Sequence, residues 1–588
     1  AQENLVDDPK TERGNWNSKS EYLLSLIGCI IGLDNIWKFP HTAYKNGGGV
    51  FLIPYFLILF VCGLPLFLLE AAIGQFCSQG PINMWGAIPI LKGVGFSMVI
   101  VNGLVAIYYN VLIAYSSYFM FASLQSSLPW SNTSSWTYSN SISCSMCAVL
   151  MPNGTQQNSP SLSEQYWDDV VLQRSSGLDQ TGSVVWHLAL CLLLSSIVVA
   201  VVVIKGIKSS GKVMYVTSIF PYVVMLILLI RGVTLEGAKS GIDFFIGSPI
   251  NFTKLTDVEI WKDAATQTFY SLAIGWGGVA TYTSYNNFHN NVVLDSVFIC
   301  IFNHVFSVAA GITVFSVLGH MSFTYGRSVE SMLSEGFALA FIVYPDAMTT
   351  LPVSPLWSFL FFLMLAVIGL QSQFGLTEVI TTSLSDSFPE ILVNKRPFVS
   401  VGTCILLFLL GLVCVTQAGI YWVVLIDNFS AGWILSILAL LEVIGFCYIY
   451  GVNRLIDDFK MMLGNKNTYF WWACKACWVV VSPSITLAIL IWSLVDYVPP
   501  TYGWVHYPDW GLSLGWCMVA FDLVWIPIVA AYKLSTAEGS LWKIMSSPSE
   551  DWHPYLDVNR GERYQTETWS QQIKMSNNNK DKDVDTIP

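Results

Sequence analysis

The sequence predicts an all-α polytopic membrane protein with twelve transmembrane helices, for three reasons. Of its 588 residues, 54% are apolar and only 11% are charged, whereas soluble domains carry about 25% charged residues. The mean hydropathy is +0.54. Twelve apolar stretches recur along the chain, each close to the roughly 20 residues that a membrane-spanning helix needs. This composition argues against a soluble enzyme, a disordered chain and a nucleic-acid-binding protein.

Each stretch is long and continuously apolar, which favours a helix over a strand because a helix bonds all its own backbone groups inside the bilayer. The stretches are 21–45, 50–75, 93–126, 184–204, 213–231, 260–286, 292–320, 354–384, 397–415, 419–450, 470–495 and 511–533. Polar sequence flanks them. We therefore expect a twelve-helix domain over 21–533 between two polar tails, 1–20 and 534–588.

The basic residues indicate the orientation, since positive charge stays on the cytoplasmic side of a membrane. The polar segment 128–183 holds only Arg174. The short loops of the opposite side hold Lys92, Lys205, Lys208, Lys212, Lys395, Arg396, Arg454, Lys460 and Lys466. We therefore expect both tails in the cytoplasm and 128–183 outside. Glycosylation sequons at Asn132, Asn153 and Asn251 support this topology.

The first and sixth stretches are interrupted by glycine and polar residues, over 28–35 and 271–278. Glycine lowers helix propensity by about 1 kcal/mol relative to alanine. Irregular backbone is tolerated in a membrane where it lines a cavity or is buried in protein. The two interruptions begin two sets of five helices, and interruptions at matching places in two halves are typical of a transporter site. Close helix packing through small residues is the alternative.

Polar side chains inside the apolar stretches are functional candidates, because their burial in a bilayer is costly. The carboxylates are Asp34, Glu70, Glu378 and Glu442. The neutral side chains at similar depth are Asn35, Asn110, Gln267, Ser271, Asn303, Ser307, Gln371 and Ser372. Hard cations are bound by oxygen ligands, and the oxygens of these side chains could therefore bind Na⁺. Hydrogen bonding between helices, at about 0.6 kcal/mol per bond, explains any one of them equally well.

Enzyme chemistry finds little support in the sequence. Residues 206–213 nearly match the phosphate-binding pattern GxxxxGK[ST], but Val213 stands where the hydroxyl is needed. The pairs Cys144/Cys147 and Cys474/Cys477 fall on opposite sides of the predicted membrane and cannot share one zinc ion. The sequence contains no HExxH motif, and its GxSxG match at 511–515 lies inside an apolar stretch rather than between a strand and a helix. We expect neither an enzyme nor a bound cofactor.

Several motifs carry a resemblance to a known family. They are NIWKFP at 35–40, NGGG at 46–49, KSSGKV at 208–213, FPY at 220–222, RGVTLEGA at 231–238 and SYNNFHNN at 284–291. Over about residues 13–565 the chain resembles the sodium- and chloride-dependent neurotransmitter and amino acid symporters. The resemblance implies a five-plus-five inverted repeat with helices 1 and 6 broken. It also implies plasma-membrane symport of an amino acid with Na⁺ and Cl⁻ by alternating access, and nothing in it identifies an accessory subunit.

The resemblance further implies which residues bind the ions. Sodium would occupy two sites made from backbone or side-chain oxygens of Gly28, Ile30, Ile31, Gly32, Asn35, Ser271, Asn303, Ile368, Gln371 and Ser372. Chloride would lie near Gln267, Ser271, Asn303 and Ser307. The second-span tyrosine that the family places beside chloride is aligned with Leu68.

The same resemblance implies the substrate contacts and the gates. The substrate would contact Gly32, Asp34, Tyr109, Tyr270, Trp276 and Ser372. The outer gate would pair Lys38 with Asp427, and the inner gate Arg13 with Asp386. Gly32 would leave room for an amino acid carboxylate, where the family's monoamine carriers have an aspartate.

Four positions depart from the family pattern. Asp34 replaces a glycine, Ile30 an alanine, Lys38 an arginine and Gln371 an aspartate. Two carboxylates about 5 Å apart repel by roughly 3 kcal/mol at an effective dielectric constant near 20, so Asp34 should disfavour a substrate carboxylate. We therefore hold two hypotheses: Na⁺-coupled symport of neutral amino acids, extended to cationic ones, and a non-transporting or substrate-altered member of the same fold.

Overall fold

The computed structural model describes residues 14–131, 161–247, 252–326, 329, 337–392, 395–430, 432–536, 547–549 and 552–564. Arg13 and the sequon residues Asn132, Asn153 and Asn251 lie outside the described residues, as do Cys144 and Cys147. All statements below on the arrangement of side chains concern the described ranges.

The described chain is built almost wholly from helices. Those that make up the membrane-spanning body are α1 Lys19–Ile30, α2 Asp34–Lys45, α3 Gly48–Cys77, α4 Pro89–Ala122, α5 Trp186–Val203, α6 Ile207–Val233, α7 Val258–Ser271, α8 Gly278–Thr283, α9 Val292–Tyr325, α10 Leu339–Thr349, α11 Ser354–Ser387, α12 Arg396–Val415, α13 Gly419–Ile449, α14 Val452–Leu463, α15 Thr468–Val495 and α16 Asp509–Thr536. A hairpin of two-residue strands, β1 Thr501–Tyr502 and β2 Val505–His506, precedes α16.

Short helical turns join these helices. They cover Asn83–Ala87, Pro129–Ser131, Leu162–Gln165, Tyr166–Val171, Ala238–Ile242, Asp243–Gly247, Phe252–Thr256, Pro389–Leu392, Asp557–Asn559 and Glu562–Tyr564. The predicted loop 128–183 therefore contains helical turns in both of its described pieces, 128–131 and 161–183.

The prediction of an all-α polytopic membrane fold is confirmed. Among the described residues, ten helices are long and apolar enough to cross a membrane, and the bent pair α1–α2 supplies an eleventh. The predicted sixth span is present as α7 and α8, two shorter helices separated by residues 272–277. Each predicted stretch thus coincides with a helix or an interrupted pair. The five-plus-five inverted repeat stays a prediction.

The first span breaks where the sequence places Gly28 and Gly32. Helix α1 ends at Ile30, Ile31 takes an extended conformation (φ −73°, ψ 97°), and α2 leaves the break at an angle of 52°. The N–H of Leu33 donates to the hydroxyl of Tyr109 on α4, at 2.9 Å. A side chain from another span thus bonds a backbone group that the break releases from the helix.

The sixth span breaks more sharply, because its backbone enters the left-handed region three times. Ala273 has φ of +52°, Gly275 +79° and Gly277 +73°. Glycine has no Cβ and adopts these angles at little cost, whereas alanine there is strained. The broken segment is positioned by Glu70 on α3, whose carboxylate accepts the N–H of Gly275 at 3.0 Å and that of Ala280 at 3.4 Å.

The core of the protein lies around α4 and α11, which pack against each other, with α1 between α11 and α6. Burial follows this arrangement. In the most apolar 18-residue stretch of α11, 67% of the residues are buried, whereas the corresponding figure for α16 is 17%. Helix α16 therefore lies at the periphery, where apolar side chains face the membrane, and α11 lies inside the bundle. Both broken spans pack against this interior.

The segment 552–564 folds back onto α14 around one buried carboxylate, Asp458. Arg563 pairs with Asp458 at 3.0 Å, the Tyr564 hydroxyl donates to it at 2.8 Å, and the Tyr450 hydroxyl donates to its other oxygen. Trp552 is buried and donates its indole N–H to Tyr450 at 2.9 Å. Burial raises the pKa of Asp458, and the charge of Arg563 opposes that shift.

Replacing Arg563 with alanine should release this segment, because Asp458 would keep its burial and lose its counter-ion. Hydrogen bonds to charged groups contribute about 2 kcal/mol, so we expect the opening free energy of 552–564, measured by amide hydrogen exchange, to fall by about that amount. Lys460→Ala is the matched control, since its pair with Asp457 is exposed and surface pairs contribute little. Equal exchange in both variants would contradict the assigned role of Arg563.

Candidate functional site at the two helix breaks

Three polar side chains from three spans form a closed hydrogen-bonded ring beside both breaks. Asn35 donates to the side-chain oxygen of Asn303 at 2.9 Å. Asn303 donates to the Ser271 hydroxyl at 2.7 Å, and that hydroxyl donates to the Asn35 oxygen at 3.0 Å. All three residues are buried. The structure thus brings together the side chains that the resemblance assigned to the first sodium site.

The residues assigned to a second sodium site also meet, between α1 and α11. A Cβ on Gly28 would lie 2.8 Å from the Gln371 side-chain oxygen and 2.6 Å from the Ser218 hydroxyl, so the α1 backbone approaches both. Ser218 itself donates to the carbonyl of Leu24 at 2.9 Å. The Gln371 amide nitrogen and the Ser372 hydroxyl are buried, and each lacks a hydrogen-bond partner among the described residues.

Ile30, Ile31 and Ile368 complete the predicted sodium set through their carbonyls. Their side chains are all buried. Ile31 follows the last residue of α1 in an extended conformation. Its carbonyl therefore makes no regular intrahelical hydrogen bond. The Ile30 side chain packs in the core directly before the break.

The residues assigned to chloride lie beside the same ring. Ser307 donates to the carbonyl of Asn303 at 3.1 Å. The amide nitrogen of Gln267 is buried without a partner among the described residues. The hydroxyl of Tyr55, on α3, is buried too, and it faces Ser271 and Ser307 without closing a hydrogen bond to either. Two buried donors with unused capacity at one place suit an anion.

Tyr55 corrects one expectation. The aromatic hydroxyl beside this cluster comes from Tyr55, not from the position of Leu68. The phenol ring stacks on His304 at 4.4 Å between ring centroids, and His304 follows Asn303 on α9. The signal was present in the sequence, since Pro54 and Tyr55 follow closely after the NGGG motif at 46–49.

Asp34, Tyr109 and Ser372 converge on Gly32. A Cβ built on Gly32 would lie 2.5 Å from a carboxylate oxygen of Asp34, 3.0 Å from the Tyr109 hydroxyl and 3.7 Å from the Ser372 hydroxyl. The Asp34 side chain is therefore folded back over the break rather than turned away from it. Its second oxygen is buried without a hydrogen-bond partner among the described residues.

Aromatic residues cover this place on the side of the predicted outer gate. Tyr270 lies at 5.8 Å and 83° from Trp276, and its hydroxyl is 3.4 Å from that of Tyr108. The Trp276 carbonyl accepts from Asn102 at 2.7 Å, which fixes the residue in the span-6 break. The Trp276 indole N–H is buried and has no described partner.

The predicted outer gate is present in an altered form. No ion pair between Lys38 and Asp427 occurs among the described side chains. The Lys38 ammonium lies 4.0 Å above the ring of Tyr270, and Asp427 accepts from the Tyr108 hydroxyl at 2.6 Å. The two tyrosines therefore stand between the charged groups.

Asp386 of the predicted inner gate is firmly held. It accepts the N–H of Gly80 at 2.7 Å, and its carbonyl accepts from Asn83 at 2.9 Å. Nearby, Trp16 donates its indole N–H to the carbonyl of Tyr282 at 3.0 Å. The proposed partner Arg13 lies outside the described residues.

A buried carboxylate on this side has an ion-pair partner that the sequence pattern does not reveal. Glu378, 1% exposed, pairs with Arg396, which also donates to the Tyr285 hydroxyl at 3.3 Å. Tyr285 in turn is 2.8 Å from the Thr382 hydroxyl. The sequence places Glu378 inside an apolar stretch and Arg396 in a cytoplasmic loop, so it does not predict that the two residues pair. A carboxylate inside an apolar stretch without a basic residue in the same stretch indicates that a cation from elsewhere pairs with it.

Interrupted spans 1 and 6, with oxygen-bearing side chains buried at both breaks, define a multi-pass membrane carrier built from discontinuous helices. The chain belongs to the sodium:neurotransmitter symporter family, whose profile matches residues 13–537. The resemblance read from the sequence motifs is thereby confirmed.

Named relatives agree with this family. The chain is 52% identical over 588 residues to the sodium- and chloride-dependent neutral and basic amino acid transporter B(0+) of Mus musculus, covering 95% of this chain and 92% of that protein. Identity to the Homo sapiens protein of the same name is 50%, with the same coverage. The sodium- and chloride-dependent glycine transporter 2 of Xenopus laevis is 42% identical, over 95% of this chain and 74% of its own length.

Glu70 and Glu442 should respond to mutation in opposite directions. Glu70→Ala leaves two buried N–H groups of the span-6 break without an acceptor, which costs about 1–3 kcal/mol for each group. Glu442 is buried, the charge of Glu70 acts on it, and its Oε1 has no described partner. Glu442→Gln should therefore leave the midpoint of thermal unfolding unchanged or raise it, and Glu70→Ala should lower it.

The measurement is thermal unfolding of the purified chain in detergent, with Glu70→Gln as an intermediate variant that keeps one acceptor oxygen. A lower midpoint for Glu442→Gln than for Glu70→Ala would contradict the assigned role of Glu70.

Proposed function

We propose that this protein is a Na⁺- and Cl⁻-coupled symporter of neutral and cationic amino acids. It would act in the plasma membrane by alternating access, with both tails in the cytoplasm. The observation that carries the proposal is the ring of Asn35, Ser271 and Asn303 beside two broken helices. The names of the 50–52% identical relatives supply the substrate class.

The ring supports a cation site because it concentrates oxygens without net charge. Asn and Ser offer amide and hydroxyl oxygens, and the break in span 1 adds carbonyls near Ile31. Hard cations prefer such oxygen ligands. Sodium bound there would replace the hydrogen bonds that close the ring and draw the three spans together. Coupling then follows, since the ion and the substrate would contact the same break.

A second cation is proposed between α1 and α11. Ser372 and Gln371 contribute a hydroxyl and an amide oxygen, next to the backbone near Gly28. Gln371 supplies no negative charge, so binding here would depend on neutral oxygens alone. We expect this site to bind Na⁺ more weakly than an equivalent site with a carboxylate.

Chloride is proposed beside Tyr55, Gln267 and Ser307. The unused donors of Tyr55 and Gln267 are the supporting observation. An anion at this place would also offset the positive charge of Na⁺ at the neighbouring ring. The proposed ions would therefore stabilise one another.

The second hypothesis, a substrate-altered or non-transporting member of the fold, is favoured by one observation. The Asp34 carboxylate lies folded over Gly32, where the carboxylate of an amino acid would approach the broken helix. Lys38, Ile30 and Gln371 give weaker support. Lys38 contacts the ring of Tyr270 instead of Asp427, and Gln371 carries no charge.

Uptake by the purified chain in liposomes tests the proposed function. We expect a Na⁺ gradient to drive uptake of a labelled amino acid or amino acid derivative, and replacement of Na⁺ by K⁺ to abolish it. Asn303→Ala removes two ring contacts and should lower Na⁺-dependent uptake at least tenfold. Asp257→Asn, at an exposed position, is the control. Uptake that is equal in Na⁺ and K⁺ would contradict symport.

Tyr55→Phe tests the chloride proposal. A hydrogen bond to a charged group contributes about 1.5–3 kcal/mol, so the chloride concentration for half-maximal uptake should rise at least tenfold. Tyr115→Phe is matched, because it removes another buried hydroxyl without a described partner. An unchanged chloride dependence in Tyr55→Phe would place chloride elsewhere.

A further inference from the structure

The Asp34 carboxylate lies inside the candidate substrate site and has no counter-ion in contact. One of its oxygens lies 2.5 Å from a Cβ position on Gly32, and the other is buried and unbonded among the described residues. No ion pair of Asp34 within 4.0 Å occurs in the part of the chain that the structure describes. A buried unpaired carboxylate is costly unless a cation or a proton joins it.

The other charges at this place do not balance Asp34. Lys38 and Asp427 both act on it electrostatically, one as a cation and one as an anion. Lys38 is placed against the ring of Tyr270, 4.0 Å from its centroid. None of these charged side chains therefore forms a contact ion pair with Asp34.

Tyrosine side chains lie near the Asp34 carboxylate. The charge of Asp34 acts on the hydroxyls of Tyr109 and Tyr270, and Trp276 stands edge-on to Tyr270. Ring faces attract ammonium groups. A buried carboxylate with two tyrosine side chains nearby is thus a site for an organic ammonium.

We infer that Asp34 itself occupies the place of the substrate carboxylate, so that the site selects amino acid derivatives that carry an ammonium group and a blocked or absent carboxylate. This inference rests on the proposed symport by the same site, and it narrows the proposed cargo from free amino acids to such derivatives. The ammonium pairs with the free oxygen of Asp34 and lies against the rings.

A free amino acid is disfavoured for the same reason. Its carboxylate, at about 5 Å from Asp34, is repelled strongly enough to lower binding by roughly two orders of magnitude at an effective dielectric constant near 20. The amide of the same amino acid keeps the ammonium group and the side chain and avoids the repulsion. Leucine and leucinamide therefore form a matched pair of probes.

The experiment compares binding of leucine and leucinamide to the purified full-length chain in Na⁺ and Cl⁻, by ligand-induced thermal stabilisation. We expect leucinamide to bind about a hundredfold more tightly than leucine. Asp34→Asn keeps the size of the side chain and removes its charge, so it should tighten leucine binding and weaken leucinamide binding until the preference is lost or reversed. Asp257→Asn, the same change at an exposed position, should leave the preference intact.

Uptake in liposomes separates this inference from the proposed function. Na⁺-driven uptake of leucine in preference to leucinamide by the unmodified chain would overturn the inference and leave symport standing. Selective leucinamide binding without any Na⁺-driven uptake would support the inference and contradict symport. The same preference in Asp34→Asn and in the unmodified chain would also overturn the inference, because the selectivity would then not depend on the carboxylate.

Discussion

The structure depends on how the backbone groups released by two broken helices are bonded inside a membrane. Lipid offers them no hydrogen-bond partner, so irregular backbone persists only where protein supplies one. Glu70 bonds the span-6 break through Gly275 and Ala280, and Tyr109 bonds the span-1 break at Leu33. With both breaks held in this way, the side chains of Asn35 and Ser271 lie within hydrogen-bonding distance of each other, and Asn35 also bonds Asn303. The candidate site therefore depends on the hydrogen bonds that Glu70 and Tyr109 make to the backbone at the two breaks.

The charges of the site follow from this constraint. A broken span presents carbonyls and N–H groups but no net charge, and the ring residues are neutral. The cations and anions that the proposal places there must then balance one another and the substrate. In this chain Asp34 adds a fixed negative charge at the break. A substrate carboxylate beside it is repelled, so the site suits a cargo that carries an ammonium group and no free carboxylate.

Much of the fold and part of the site could be predicted from the sequence. Apolar stretches set the spans, and glycines at 28, 32, 275 and 277 marked the breaks, because glycine removes the propensity that keeps a helix continuous. The meeting of Asn35, Ser271 and Asn303 came from family motifs. The partner of Glu378 was missed because a sequence does not show how deeply a loop arginine such as Arg396 reaches. The remaining contacts depend on side-chain rotamers, which a sequence does not specify. The ammonium of Lys38, for example, lies above a tyrosine ring instead of pairing with Asp427.

The two sides of the site are held by interactions of different kinds. On the side of Asp427, closure rests on a cation above the Tyr270 ring and a hydrogen bond from Tyr108. A cation–π contact contributes about 0.5–2 kcal/mol. On the other side, Arg396 and Glu378 form a buried ion pair joined by Tyr285 and Thr382, and breaking such a pair costs about 3–5 kcal/mol. The Tyr108 hydrogen bond to a carboxylate adds about 1.5–3 kcal/mol on the side of Lys38, so the two sides differ in the kind of contact that must break when they open rather than in its total strength.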